Sequence, residues 1–306
     1  MKKVAIVGAG ISGLYLANEL NKNTEIDYKI FEKKDYLNLN EGYGIQLSVN
    51  SINLLNKIGF KNISASDVYY PTKVNFFQAN NIKKICEIDL KQFNNVNDRY
   101  TTLKRSTLIK FLIDNIPEEK IQFKADIQDI EYNEKIKISW DNNNESFDYI
   151  VIADGVFSKL KSQISNNDLN PIFNGNIALR ANLKQHEKDN ISVYMGSNFH
   201  YVTYPVNQKL EYNFVAIIKK KLTTKEIEDK NILNSETFIK SLKDLISKNS
   251  IINLENLVNL KCFPVFVSTE LPSLKYQNTF LSGDALFAFP PSFAQGASQS
   301  IETANG

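Results

Sequence analysis

The spacing Gly8-x-Gly10-x-x-Gly13 constrains this chain more than any other feature in it. The three glycines stand between an unbroken apolar run, Val4 to Val7, and the segment SGLYLANELNK, whose apolar residues recur at helical intervals. A continuous apolar run of that length reads as a strand of a parallel sheet, buried on both faces. A strand turning directly into a helix uses each glycine differently. The first makes the tight turn, the second lets a pyrophosphate approach the backbone, and the third lets the helix pack close on the strand. The helix then aims free N–H groups and its positive end at the phosphates. Glu32 closes the next apolar strand, DYKIFEKK, about 20 residues past Gly13, where an acid that holds a ribose diol is expected. A carboxylate there repels a 2′-phosphate, so the motif suits FAD or NAD and disfavours NADP. A glycine-rich turn kept only for packing is the other reading of the glycines taken alone.

The remaining bulk features exclude more than they assign. The chain has 306 residues, 42% hydrophobic and 23% charged, which suits two domains or one large α/β unit. A net charge of +2 gives no field that would favour nucleic acid or an anionic membrane. Cys86 and Cys262 lie far apart and outside any CxxC, against a disulfide framework, a metal site or a dithiol relay. A reducing cytoplasm fits that usage. The lysines and apolar run at the N-terminus mimic a signal peptide, but the glycines break the run, and no later stretch is apolar for long enough to cross a bilayer. Oligomeric state is not written in any of this.

Periodicity places the other elements. SVNSINLLNKIGF is a helix ended by Gly59, and STLIKFLIDNIP is a helix with Ser106 as its cap. TKVNFFQA and IKKICEIDL form a hairpin through Asn80-Asn81. FDYIVIADG is a further buried strand. NIALRANL, ISVYMG, FHYVTYPV and LEYNFVAII make a second β-rich region, followed by the helix SETFIKSLKDLISKN and a last strand, NTFLSGDA, returning to the first sheet. The expected fold class is α/β. A discontinuous Rossmann-type domain takes residues 1–70, 100–165 and 276–306, and a β-sheet-rich substrate domain takes 71–99 and 166–275.

Two more acidic positions sit where strands end, at Asp154-Gly155 and at Gly283-Asp284. Asp is poorly suited to a strand interior, so at a strand's carboxyl edge it points toward a ligand crevice. A helix beginning near Ala294 would aim its N–H groups at something electron-rich.

With these motifs in order, together with GYGIQLSVNSINLLNKIGF, LKRSTLIKFL, YPV and EYNFVAI, the chain resembles the class A flavoprotein monooxygenases. That is the family of para-hydroxybenzoate hydroxylase, and the likeness is to its salicylate-hydroxylase-like branch. The resemblance implies that Gly8, Gly10, Gly13 and Glu32 hold the ADP half of FAD and that Arg105 contacts the cofactor. It implies that Asp154 serves FAD and NAD(P)H use, and that Asp284 bonds the ribityl chain. Pro290 and Pro291 would flank the isoalloxazine ring, and the backbone at Gly296 and Ala297 would face the flavin pyrimidine. The implied reaction reduces the flavin with NAD(P)H, forms a C4a-hydroperoxide with O₂, and passes the distal oxygen to an aromatic or other electron-rich small molecule.

The chain also departs from that pattern. It has Phe287 where the family has His, Ala294 for Gly, Ser298 for Asn, Thr303 for Asp and Lys161 for Arg. Phe287 with Phe289 and Phe293 points to a substrate more hydrophobic than salicylate. The family continues past the final helix, so a truncated product is expected. A reductase or dehydrogenase on the same scaffold and a non-catalytic flavin-binding remnant therefore stay open.

The candidate catalytic residues are His200, as a base, and Arg180, which lies within an apolar strand and would pair with a substrate carboxylate, a flavin edge or a structural acid. Strand alternation puts His200 and Tyr204 on one face and Tyr201 on the other. Gln46, Tyr204 and Phe289 are candidates for the substrate pocket. His186, in KQHEKDN, reads as a solvated loop residue. Trp140 stands without a WxWxIP motif, against a flavin-dependent tryptophan halogenase.

Overall fold

Alternate residues of the first strand, Lys2–Val7, serve two different cores. Val4 and Ile6 pack with Leu14, Ile30, Leu108 and Ile301, whereas Ala5 and Val7 pack with Phe31, Trp140, Phe147 and Ile152. Burial on both faces is the reason the strand is apolar without a break from Val4 to Val7. In the computed structural model, which describes residues 1–39, 42–167, 169–183 and 189–306 and leaves out the Phe293 side chain, this strand is central to a parallel sheet. The order is Thr279–Leu281, Tyr149–Ile152, Lys2–Val7, Ile26–Glu32, Ile121–Phe123. Helices Ile11–Leu20, Arg105–Asp114 and Gly296–Asn305 contribute to the core on one face. A small antiparallel sheet, Asp129–Tyr132, Ile136–Trp140 and Asn143–Phe147, covers the other. The final strand and helix thus join the sheet begun at the N-terminus.

The second layer is a seven-stranded sheet in the order Leu257–Val267, Ile172–Leu183, Tyr212–Lys219, Phe199–Pro205, Ile191–Met195, Lys73–Gln78, Lys84–Asp89. Its pairings are antiparallel except that between Ile191–Met195 and Lys73–Gln78. Helix Glu236–Ser247, capped by Ser235, lays Phe238, Leu242 and Ile246 against one face, among Leu179, Tyr201, Phe214 and Ala216. The opposite face carries His200, Val202 and Tyr204.

Three sequence expectations need correction or addition. Ser106 is not a cap. The helix begins at Arg105 with Lys104 at the cap position and no side-chain bond, because the chain enters directly from the strand Thr101–Lys104. In the 78–84 turn the left-handed residue is Ile82 (φ 56°), while Asn81 accepts from the Lys83 amide at 2.8 Å. Strand Leu257–Val267 escaped the sequence reading because Asn259, with φ 56°, and Pro264 interrupt its alternation. As an edge strand it tolerates both. His186 lies outside the described residues.

A second small sheet, Gly44–Leu47, Thr101–Lys104 and Val68–Tyr69, joins the two layers. The Gly44 amide donates to Asn213 Oδ1 at 2.7 Å, and Thr102 Oγ1 donates to the Pro205 carbonyl at 2.6 Å. A Cβ on Gly44 would come within 2.8 Å of Asn213, Val206 and Tyr204. Only glycine allows the layers to approach this closely. No helix among the described residues is long and apolar enough to cross a membrane.

Candidate cofactor and substrate site

Backbone geometry explains the glycine spacing. At Gly8, φ is 106° and a Cβ would stand 2.5 Å from the Ala153 carbonyl oxygen. At Gly13 a Cβ would stand 2.1 Å from the Gly8 carbonyl oxygen, so helix and turn touch there. Gly10 is different: the nearest atom is 4.0 Å away, and its open side faces a cavity. Two of the glycines answer to the protein, and the third leaves room for a ligand.

That cavity, about 520 Å³, runs along the carboxyl ends of the parallel strands. Gly8, Gly10 and Glu32 line it at the helix Ile11–Leu20, and Asp154 comes from the loop after Tyr149–Ile152. Asp284, Gly296 and Ala297 line it from the last strand and helix. Arg105 enters from its own helix, and Arg180 from the seven-stranded sheet. Gly13 supports the turn from behind. Gln46, Tyr204, Phe289, Pro291 and His200 stand outside this lining.

The acidic groups are held in distinct ways. Glu32 is only 8% exposed, and its carboxylate accepts from the amides of Ala9 at 2.9 Å and Lys34 at 3.1 Å. Those bonds fix it beside the glycine turn. Asp154 keeps a buried Oδ1 with no hydrogen-bond partner among the described residues. Burial pushes its carboxyl up to about 6, against the pull of Ser158, Lys33 and Lys161. An unsatisfied buried acceptor beside an open cavity is what a cofactor hydroxyl would satisfy. Asp284 opens into the cavity, yet the surrounding protein raises its carboxyl pKa, while the Arg105 guanidinium pulls it back down. Lys161, 3% exposed behind Asp154, has its ammonium pKa lowered by burial. The residues present fit a dinucleotide with a polar chain and an electron-rich end.

Two of the departures from the family pattern are satisfied locally. Thr303 Oγ1 accepts from the Gly283 amide at 2.9 Å and donates to the Gln299 carbonyl at 2.8 Å. Ser298 Oγ accepts from the Ser48 amide at 3.1 Å and pairs with Ser51 Oγ at 3.0 Å, tying the final helix to Val49–Lys57. Ala294 is not accommodated in this way: its φ of 53° is left-handed, which favours the glycine it replaces.

On the sheet side, Tyr100 donates to Gln46 Oε1 at 2.8 Å. Burial raises the hydroxyl pKa of Tyr100 to about 12 and pushes up that of Tyr204. Both stay protonated at neutral pH. His200 is half-buried, and burial lowers its imidazole pKa, leaving it neutral. The Arg180 guanidinium lies 6.0 Å from the centre of the Tyr43 ring. The sequence reading missed Tyr43 and Gly44, since both act through residues distant in the chain.

A family model described as FAD binding domain matches residues 1–305. The chain is 26% identical over 170 residues to the FAD-dependent monooxygenase dpfgE of Gibberella zeae, covering 53% of this chain and 36% of that protein. It is 23% identical over 336 residues to salicylate hydroxylase of Pseudomonas putida, covering 99% of this chain and 74% of that one. Klebsiella pneumoniae HpxO, solved with FAD and uric acid, superposes with a TM-score of 0.80 at 16% identity, covering 99% of this chain and 78% of that one. The chain spans 36–52% of the length of the first fungal monooxygenases it matches.

Proposed function

The chain belongs to the FAD binding domain family, and on that premise we propose that it is an FAD-dependent monooxygenase acting on an aromatic or other electron-rich small molecule with O₂ and NAD(P)H. One observation carries the reading. Glu32, the unpartnered Oδ1 of Asp154, Asp284 and the N-terminus of helix Gly296–Asn305 all open onto a single cavity, and Arg180 reaches it from the second sheet.

Bound FAD supplies the electron transfer and oxygen chemistry, and the protein binds, orients and excludes water. Glu32 would accept from the ribose hydroxyls, and the amides after Gly10, at Ile11 and Ser12, would meet the pyrophosphate. Asp154 Oδ1 and Asp284 accept from the remaining hydroxyls of the cofactor. The amides at Gly296 and Ala297 would stabilise negative charge on the pyrimidine edge of a bound flavin. Arg105 and Arg180 add positive charge to the same cavity. Pro291 would border the ring, and Gln46, Tyr204 and Phe289 would contact the substrate. His200, neutral and half-buried, takes a proton from a phenolic substrate as general base. The reducing cytoplasm is the compartment we assign.

The test has two stages. The purified chain binds FAD and turns yellow, and NAD(P)H-driven O₂ uptake then rises with an aromatic substrate. Reduction of the flavin without substrate-stimulated O₂ uptake means a reductase or dehydrogenase on this scaffold instead.

A further inference from the structure

Two hydroxyls in the cofactor cavity are paired with each other, and a third stands beside them. Ser12 lies in the first turn of helix Ile11–Leu20, Ser282 precedes the Gly283–Asp284 turn, and Thr303 belongs to helix Gly296–Asn305. Ser12 and Ser282 both line the cavity, and both are more than nine-tenths buried. Their Oγ atoms lie 2.6 Å apart. The segments meet this closely because Gly283, at φ 62°, turns against Ser12: a Cβ on Gly283 would stand 3.0 Å from Ser12 Cβ. Residues 270 positions apart in the chain are thus joined by one hydroxyl pair.

The protons of this group can be counted. Thr303 Oγ1 gives its one proton to the Gln299 carbonyl at 2.8 Å and accepts from the Gly283 amide at 2.9 Å. It has none left for Ser282, which is 3.4 Å away. Ser12 and Ser282 hold two protons, and the bond between them uses one. If Ser12 donates, the remaining proton sits on Ser282 and reaches only Thr303, at a length well past that of a good O–H···O bond. If Ser282 donates, the remaining proton sits on Ser12, where no acceptor stands among the described residues. An anionic oxygen in the cavity selects the second arrangement, since a hydroxyl that accepts a hydrogen bond becomes a stronger donor.

The place of that anion follows from the neighbours of Ser12. Gly10, two residues earlier, leaves its open side to the cavity, and the helix N-terminus brings its amides and positive end to the same point. Resting on the FAD reading, we infer that Ser282 is a positioning residue: it donates to Ser12 Oγ and so directs the Ser12 proton onto a pyrophosphate oxygen. The pair couples the phosphate-binding turn to the Gly283–Asp284 turn, so the two halves of the cofactor site are set together.

The test uses Ser12→Ala, Ser282→Ala and the double variant, each titrated with FAD and with ADP by calorimetry. Ser12→Ala removes a donor to a charged oxygen and is expected to weaken both ligands by about tenfold. Ser282→Ala, which acts only through Ser12, is expected to weaken both by about threefold. The double variant is expected to bind no more weakly than Ser12→Ala alone, because Ser282 has nothing left to position. The ³¹P spectrum of bound FAD supplies a readout that a packing role would not move. One of the two pyrophosphate resonances is expected to shift in each single variant while the other stays. The inference is overturned if Ser12→Ala binds ADP as the unaltered chain does, if the two losses multiply in the double variant, or if neither resonance moves. An unaltered chain that binds neither FAD nor ADP would overturn the FAD reading and this inference together, whereas normal FAD binding in all three variants would overturn the inference alone.

Discussion

The cofactor cradle and the seven-stranded sheet meet at one cavity through Arg180, but they are built by different rules. The cradle depends on backbone. Gly8 and Gly13 are fixed by carbonyl oxygens within 2.5 Å of where a Cβ would stand, and Glu32 is fixed by two amides. The sheet depends on alternation and pairing: Val215 and Ile217 point away from the helix Glu236–Ser247 because Phe214 and Ala216 face it. A cradle built from backbone tolerates almost no substitution. A wall built from side chains can change its chemistry without losing its shape, which is how one scaffold comes to accept different substrates.

The contrast is most sharply broken at Gly13. Gly13→Ala drives a methyl group into a backbone oxygen that cannot rotate away, at a cost of more than about 3 kcal/mol. FAD binding is expected to vanish, measured by flavin retention on gel filtration. Gly44→Ala strikes the junction instead, where the obstacles are side chains of Asn213, Val206 and Tyr204. A loss of about 1–3 kcal/mol in denaturant unfolding is expected, with FAD still bound and substrate-stimulated turnover reduced. Equal loss of FAD in both variants would mean that cradle and wall are not separable.

Asp154 sharpens the comparison from the ligand side. Its folded pKa, about 6, lies above the ordinary 3.8, so the folded empty chain holds the proton more tightly than the unfolded chain does. This favours folding at low pH, and the benefit is lost as pH rises from about 4 to 6. Asp154→Asn is therefore expected to stabilise the FAD-free chain by about 1–2 kcal/mol at pH 8, after allowing for partial solvent access, and by nothing measurable at pH 4. The same change is expected to weaken FAD, because a neutral amide oxygen accepts from a hydroxyl less strongly than a carboxylate does. Thermal melts at the two pH values, with and without FAD, check both signs. The smallest effect is at Ala294, where Ala294→Gly relieves a left-handed backbone and is expected to add about 1 kcal/mol of stability. An unchanged or lower melting temperature would mean that the turn gains nothing from glycine.

How much was legible in the sequence follows the same division. The glycine spacing, Glu32 and the strand-end acids are local patterns, and the strand-turn-helix could be read from the first 32 residues. Gly44 could not, since its reason for being glycine lies in Tyr204, Val206 and Asn213. Strand Leu257–Val267 was hidden by Asn259 and Pro264, which only an edge position explains. Thr303 and Ser298 read as losses in the chain but as hydrogen-bond partners in the fold.

The most direct test of the cradle is a titration of the purified 306-residue chain with FAD, followed by its visible absorption and by retention of the flavin on gel filtration. One FAD per chain, with shifted flavin bands and loss of binding in Gly13→Ala, is the predicted result. Free FAD eluting apart from a colourless protein, with the chain folded, would contradict it.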